Sequence, residues 1–267
     1  MIAELDSDLE LVARIAVGDR DAFSDLYQRY FEGIYDLALR TVRDADLAAD
    51  VSQQTFVRAW EHLRGGTRPD NPKAWLYTIA RNGAIDELRR GKRTTHDDSG
   101  GEGPSIIENQ LDVSKFANPE DVVRDNELVG LVWEAAAALN PREYSILDLH
   151  VRKELSADEL AESLGLRRDN VYMMLSRLRD SLEESVVCLL LMRRGRRACP
   201  ELNALLATRG EELDRGTRRA IRKHLDACTV CQEQRKRFAS PVEIFAGIAV
   251  VPVAVEVKAA VWRRIAG

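Results

Sequence analysis

Four residues near the end of the chain have side chains that commonly bind metal ions in proteins. They are Cys199, His224, Cys228 and Cys231, with the spacing C-x24-H-x3-C-x2-C. His224 and Cys228 are one helical turn apart, and Cys231 falls on the same face three residues later. Three thiolates and one imidazole fill the tetrahedral shell of a zinc ion and leave no position open for catalysis. The spacing therefore predicts one Zn²⁺ ion with a structural or regulatory role.

A helical hairpin with incidental cysteines is the alternative to this zinc site. Pro200 suits the first position of a helix, which places Cys199 at the start of that helix. Cys188, within the apolar run VVCLLLM, is interpreted as a buried residue and not as a ligand. A zinc enzyme is disfavoured by the closed shell, and the sequence shows no Ser/His/Asp set, phosphate-binding loop or convergent pair of carboxylates. Two regulatory behaviours stay open: permanent masking of a binding surface, or oxidation of the thiolates with release of the metal.

The elements that must position these residues are helices. Apolar residues recur at spacings of three and four from Asp21 to Val42, from Ala45 to Leu63, and again after the loop from Thr67 to Pro72. No run alternates for long enough to predict a sheet, so the expected fold class is all-α. Shifts in composition predict a helical domain at 1–95, a flexible acidic linker at 96–125, a second helical domain at 126–187, a small helical zinc domain at 188–240 and a tail at 241–267.

A helix-turn-helix is predicted in the second domain. Ser156 and Glu159 form a capping box before the helix Ala157 to Leu164, and Gly165 ends that helix. A third helix follows at once, which is typical of DNA-binding helix-turn-helix units. Its exposed face carries amide and guanidinium groups that suit base edges and phosphates. These residues are Arg167, Arg168, Asn170, Tyr172, Met173, Ser176, Arg177 and Arg179. A plain three-helix bundle with a solvated basic face is the alternative.

Two groups of segments resemble one protein family, and a third segment resembles the domain of a regulatory partner of that family. DAFSDLYQRYFEGIYDLA, DLAADVSQQTFVRAW and PKAWLYTIARNGAIDELRR resemble domain two of the extracytoplasmic-function (ECF) RNA polymerase sigma factors. ALNPREYSILDLHVRKELSADELAESLGLRRDNVYMMLSRLRDSL resembles domain four of that family. CPELNALLATRGEELDRGTRRAIRKHLDACTVC resembles the zinc-binding anti-sigma domain, which usually belongs to a separate protein that masks the sigma factor. The resemblance implies a promoter-specificity subunit with a fused regulatory zinc domain.

The resemblance also implies site residues and partners, namely the RNA polymerase core and promoter DNA. Residues implied in polymerase binding are Asp50, Gln53, Gln54, Phe56 and Arg58, with Gln54 where the family usually has an acid. Phe56 could equally be a residue of the core. Residues implied in reading the −10 promoter element are Asp70, Asn71, Arg81, Asn82, Asp86, Arg89 and Arg90. The helix Asp169–Leu182, with the exposed face described above, would read the −35 element. Tyr172 to Met174 stand where the family often has Lys and Arg, so the promoter sequence does not transfer.

The charge distribution agrees with a subunit that needs a partner. The 267 residues carry a net charge of −5. Residues 96–125 contain eight acidic and two basic side chains, whereas residues 193–237 contain thirteen basic and six acidic ones. The expected DNA-reading domains are not strongly basic, so unaided DNA binding should be weak. The basic zinc segment is expected to contact the sigma domains within the same chain.

The remaining expectations concern activity and location. We expect a cytoplasmic protein that is not an enzyme and has no small-molecule substrate, since no signal peptide or membrane-spanning segment is visible in the sequence. The competing hypothesis is a stand-alone helix-turn-helix regulator that binds operators without polymerase. The tail at 241–267 could cover domain two or four, bind a partner or lie on a membrane surface.

Overall fold

The computed structural model describes residues 7–96, 126–137, 139–209, 213–236, 245 and 253–266. None of these residues lies in a strand, so the predicted all-α class is confirmed. The helices are α1 (Asp8–Ala16), α2 (Arg20–Val42), α3 (Ala45–Arg64), α4 (Pro72–His96), α5 (Asn126–Ala137), α6 (Pro141–Val151), α7 (Ala157–Leu164), α8 (Arg168–Arg194), α9 (Pro200–Ala207), α10 (Arg215–Ala227), α11 (Thr229–Arg235) and α12 (Val255–Ala266).

The described residues group into two compact units. The first draws on ranges 1–117, 141–171 and 249–267, and so contains α1 to α4, α6, α7 and α12. The second draws on ranges 118–140 and 172–248, and contains α5, most of α8 and α9 to α11. The acidic linker expected at 96–125 lies outside the described residues from position 97 onward.

The core of the first unit is built by helices whose apolar stripes were visible in the sequence. Asp19 and Asp44 cap α2 and α3 through side-chain oxygens that accept backbone N–H groups of the first turn. The stripes of α2 and α3 meet in an aromatic cluster, where the rings of Tyr27 and Phe56 lie 4.8 Å apart between centroids. Both side chains are fully buried. Burial of these rings stabilises the packing of α2 against α3.

The capping box predicted for α7 is present. The Ser156 hydroxyl accepts the backbone N–H of Glu159 at 3.2 Å, and the Glu159 carboxylate accepts the backbone N–H of Ser156 at 2.7 Å. Gly165 ends the helix in the left-handed region, with φ of 63°. This conformation costs glycine little because it has no Cβ atom.

Replacement of this cap gives a first prediction. Ser156→Ala should lower the free energy of unfolding by about 1 kcal/mol, because the backbone N–H of Glu159 loses its acceptor. Ser163→Ala, on the same helix but outside the cap, should change it by less than about 0.5 kcal/mol. Chemical denaturation of the full chain compares the two variants, and equal effects would show that the cap contributes nothing.

The second unit contains a longer helix than the sequence indicated. The third helix of the helix-turn-helix was expected to end at Glu183, but α8 continues to Arg194. The extension carries Val187, Cys188, Leu191 and Met192, which form one buried cluster with residues of α9, α10 and α11. The extra turns of α8 are therefore stabilised by packing against the cysteine-containing segment. Among the described helices, none is long and apolar enough to cross a bilayer.

Candidate functional site

The four predicted metal ligands come together in the second unit. Their ligand atoms all lie within 4.8 Å of one another. Nε2 of His224 is 3.3 Å from Sγ of Cys199 and 3.4 Å from Sγ of Cys231, and the Sγ atoms of Cys199 and Cys228 are 3.8 Å apart. Cys199 and Cys231 are buried, while the other two ligands are half-buried.

The measured separations suit a tetrahedral ion with these ligands. Zn–S and Zn–N bonds imply S···S separations of about 3.8 Å and S···N separations of about 3.6 Å. The S···S separation of 3.8 Å equals the first value, and the S···N separations of 3.3 and 3.4 Å are slightly shorter than the second. Cys199 is the N-cap of α9 and Pro200 its first residue, as predicted. The donor set and its spacing therefore define a site that could bind a metal ion.

His224, Cys228 and Cys231, whose spacing suits one helical face, do not lie on one continuous helix. α10 ends at Ala227, and α11 begins at Thr229 after Cys228 adopts an extended conformation, with φ −108° and ψ 110°. The amide of Gln232 donates to the carbonyls of Leu225 and Asp226, at 3.0 and 3.1 Å. These bonds satisfy carbonyl groups that a continuous helix would have paired. The break turns α11 so that Cys231 faces the other three ligands.

The thiols of the cluster differ in acidity. Backbone N–H groups at the start of α11, first that of Cys231, lower the pKa of Cys228. Burial raises the pKa of Cys231. Burial likewise raises the pKa of Cys188 to about 11. Cys188 is 2% exposed within the apolar cluster and outside the ligand group, so its interpretation as a buried residue is confirmed.

The residues implied in polymerase binding lie on α3 of the first unit. Asp50, Gln54 and Arg58 are exposed and Gln53 is half-buried. Phe56 departs from this pattern, since its side chain is fully buried against the aromatic cluster. We therefore reassign Phe56 from direct contact to support of the α3 surface.

The residues implied in reading the −10 element surround α4, and two of them contact other helices of the first unit. The amide oxygen of Asn71 accepts the backbone N–H of Ala74 at 2.9 Å, while its NH₂ group donates to Glu159 of α7. Nε of Arg81 donates to Oγ of Ser145 of α6 at 3.0 Å. The other members of the set, which are exposed or half-buried, are Asp70, Asn82, Asp86, Arg89 and Arg90.

The residues implied in reading the −35 element share one exposed face, as the periodicity predicted. Val171, Leu175, Leu178 and Leu182 of α8 are buried. The exposed residues between them and in the preceding turn are Arg167, Arg168, Asn170, Tyr172, Met173, Ser176, Arg177 and Arg179. Leu166, an apolar residue of the turn before α8, is 41% exposed and not part of the core.

A buried cluster of charges connects α2 with the end of α6, and no local pattern in the sequence indicates it. Asp36 is fully buried and accepts from Arg40 at 2.6 Å, Arg152 at 2.8 Å and Lys153 at 3.1 Å. Arg152 also donates to Asp148 at 2.7 Å. Burial alone would lower the pKa of Arg152, but the two carboxylates outweigh it and raise that pKa. Buried charges are stable only when paired in this way.

One protein family and several known proteins are similar to this chain. The Sigma-70 region 2 family matches residues 11–94, which include α2, α3 and most of α4. The chain is 29% identical to the ECF RNA polymerase sigma factor SigW of Bacillus subtilis, over 66% of this chain and 94% of that protein. It is 32% identical to the ECF RNA polymerase sigma factor SigM of the same organism, over 60% of this chain and 91% of that protein.

One solved structure is also similar. It is a structure of CnrH in complex with the cytosolic domain of CnrY, with 24% identity and a TM-score of 0.45 over 66% of this chain and 95% of that one.

The all-α fold and these similarities identify the chain as a transcription initiation factor. The chain belongs to the ECF RNA polymerase sigma factors, as the resemblance of its segments predicted. Sigma factors give transcription initiation its promoter specificity and are not enzymes, so the expectation of a non-enzymatic protein is confirmed. The alternative of a stand-alone operator-binding regulator is not favoured. The matches to SigW and SigM leave 34% and 40% of this chain uncovered, respectively.

Proposed function

We propose that this sigma factor directs RNA polymerase core to promoters in the cytoplasm and is modulated in cis by a zinc domain at 188–240. Domain two (1–95) would bind core and the −10 element, and domain four (126–187) the −35 element. The observation that carries the cis control is the shared core of the second unit. Val187 and Leu191 of α8 pack with Leu202 and Ile221 of the cysteine-containing segment. The helix proposed to read the −35 element is thus continuous with the core of the metal centre.

Ion pairs support the same connection. Arg235 lies 3.0 Å from Glu183, and Arg222 lies 3.6 Å from Glu184, between α8 and the basic segment. Such exposed pairs contribute little stability. They do favour one orientation of the basic segment on α8, in which opposite charges face each other. The positive charge of this segment therefore has partners on α8 in the same chain.

The zinc domain would use Cys199, His224, Cys228 and Cys231 to bind one Zn²⁺ ion. A closed shell of this kind stabilises folded structure and does not polarise a substrate. The chain supplies two features besides the ligands. The start of α11 offers N–H groups to the Cys228 thiolate, and the apolar cluster excludes water from Cys199 and Cys231. Metal binding displaces the thiol protons, so acidification should release the ion.

Contacts within the first unit support a second means of regulating promoter binding. The −10 and −35 elements are about 25 base pairs apart, which corresponds to about 85 Å of B-DNA. α6 and α7, from domain four, instead contact domain two through Asp36, Asn71 and Arg81. These contacts are incompatible with reading both elements at once. We propose that promoter binding requires α6 and α7 to separate from domain two.

A transcription assay tests the cis control. The full chain, loaded with zinc, and its Cys228→Ser variant are each added to RNA polymerase core and a promoter template. A truncation is unsuitable because cutting after Val187 would divide α8 and remove α12. We expect transcript yield to differ between the two chains, and the sign of the difference identifies inhibition or support. Equal yield from a variant that has lost its zinc would contradict cis control.

The same assay separates the two regulatory behaviours. Peroxide treatment should leave the metal in place if the domain is a permanent mask, and should release it if the thiolates sense oxidation. Zinc content and transcript yield are measured on the same samples. Cys188→Ala serves as the thiol control, because that side chain lies outside the ligand group.

Promoter contacts by α8 give a further prediction. Arg177→Ala should weaken binding of the holoenzyme to a promoter by about 5- to 150-fold, corresponding to about 1–3 kcal/mol for a base contact. Arg20→Ala, which removes an exposed arginine at the start of α2, should have no such effect. Binding is measured at one salt concentration on templates with and without the −35 element. An equal loss on both templates would contradict a −35 contact.

A further inference from the structure

The C-terminal helix α12 packs on the surface that domain two would offer to polymerase. The ring of Trp262 lies 4.8 Å from that of Tyr27 and 5.9 Å from that of Phe23, measured between centroids. Val261, on the same side of α12, is 3% exposed. The residues of this helix that face domain two recur at spacings of three and four, as in an amphipathic helix. α12 therefore closes the aromatic cluster of the first unit.

Polar contacts fix the helix at a defined position. The hydroxyl of Tyr27 donates to the backbone carbonyl of Lys258 at 2.7 Å. Nζ of Lys258 lies 3.3 Å from a carboxylate oxygen of Glu32. The hydrogen bond to the Lys258 carbonyl fixes how closely α12 approaches α2, because the Tyr27 side chain that donates it is fully buried.

The end of α12 reaches the residues implied in polymerase binding. Nη1 of Arg264 donates to Oε1 of Gln53 at 3.3 Å and lies 3.9 Å from Oδ1 of Asp50. Two of the four accessible members of that set are thus in contact with the C-terminal helix. RNA polymerase could not bind Asp50 and Gln53 without displacing α12 from them.

We infer that α12 is an intramolecular competitor of RNA polymerase core for the α3 surface of domain two. This inference rests on the proposed role of Asp50 and Gln53, and it names the regulation of that surface. Core binding then requires α12 to leave, so the apparent dissociation constant is multiplied by the ratio of covered to uncovered chains. The competitor differs from the zinc domain, since it lies in the first unit and has no metal ligand.

Binding of full-length variants to RNA polymerase core tests the inference. Trp262→Ala should tighten core binding about tenfold or more, because it removes the apolar anchor of α12. Arg264→Glu, which places a carboxylate beside Asp50, should tighten it about threefold, as expected for an exposed pair. Arg263→Glu makes the same charge change on the neighbouring exposed residue and should leave the affinity unchanged. Amide exchange in residues 255–266 should also accelerate when core is added.

Gln53→Ala, made in the Trp262→Ala background, distinguishes failure of the competitor from failure of the docking surface. We expect this second change to weaken core binding again. Unchanged affinity in Trp262→Ala and Arg264→Glu, together with weaker binding in Gln53→Ala alone, would overturn the competitor and leave the docking surface intact. No effect of Gln53→Ala in either background would overturn the docking assignment. Tighter binding in Arg263→Glu equal to that in Arg264→Glu would also overturn the inference.

Discussion

Replacing Cys228 by serine is expected to release zinc from the full chain and to unfold much of the segment from α9 to α11. Structural zinc sites of this type contribute about 10–16 kcal/mol of apparent binding free energy, and that energy is coupled to folding. The cluster around Leu202, Leu206 and Ile221 is small, so a bound zinc ion would supply much of the local stability. Metal analysis after gel filtration should fall from one zinc per chain to nearly none.

The matched control for this variant is Cys188→Ala. It removes a thiol from the same cluster without touching the ligand group, so zinc content should stay at one per chain. Helicity by circular dichroism should fall only in Cys228→Ser. A Cys228→Ser chain that retains one zinc, or a Cys188→Ala chain that loses it, would show that the ligands are wrong.

Asp36→Asn is expected to have the second large effect, on the contact between α2 and α6. It neutralises the fully buried carboxylate that pairs with Arg40, Arg152 and Lys153. Breaking a buried pair by removing one partner costs about 3–5 kcal/mol, because the remaining charges lose their compensation. The melting temperature should fall, and hydrogen exchange in α6 should accelerate more than in α3.

Asp36→Asn should also promote promoter binding, if the contact between α2 and α6 opposes that binding. With polymerase core present, Asp36→Asn should form promoter complexes faster than the unmodified chain, since α6 separates more easily. Asp25→Asn, at an exposed position of α2, is the control and should alter neither property. Lys153→Met should act in the same direction with a smaller effect, because Asp36 keeps two cations. A stable Asp36→Asn chain with unchanged α6 exchange would contradict the role of the cluster.

The helices that carry the site followed from local patterns in the sequence. Ser156, Glu159 and Gly165 form cap contacts within a few residues of one another, so their types alone indicate where α7 begins and ends. The exposed face of α8 followed equally from its apolar period, because Val171 and Leu175 mark the buried side. The Cys/His cluster was predictable because only a few residue types commonly bind metal ions.

What the sequence did not indicate depends on contacts between distant residues. Asp36 interrupts an apolar stripe and looks like a surface residue until Arg152 and Lys153, more than 100 positions later, are placed beside it. The break at Cys228 was missed because residues four apart are also compatible with a continuous helix. α12 has an amphipathic period, yet nothing local shows that Trp262 meets Tyr27 or that Arg264 meets Gln53.

Transcription from a library of randomised DNA tests the central claim most directly. The full chain is combined with RNA polymerase core, and the transcripts are sequenced to recover the templates that were used. Two enriched sequence elements at a fixed spacing, found only when both proteins are present, are the predicted result. Arg177→Ala should reduce enrichment of the upstream element alone. Selection of a DNA sequence by the chain without polymerase, and no specific transcripts with it, would contradict a sigma factor.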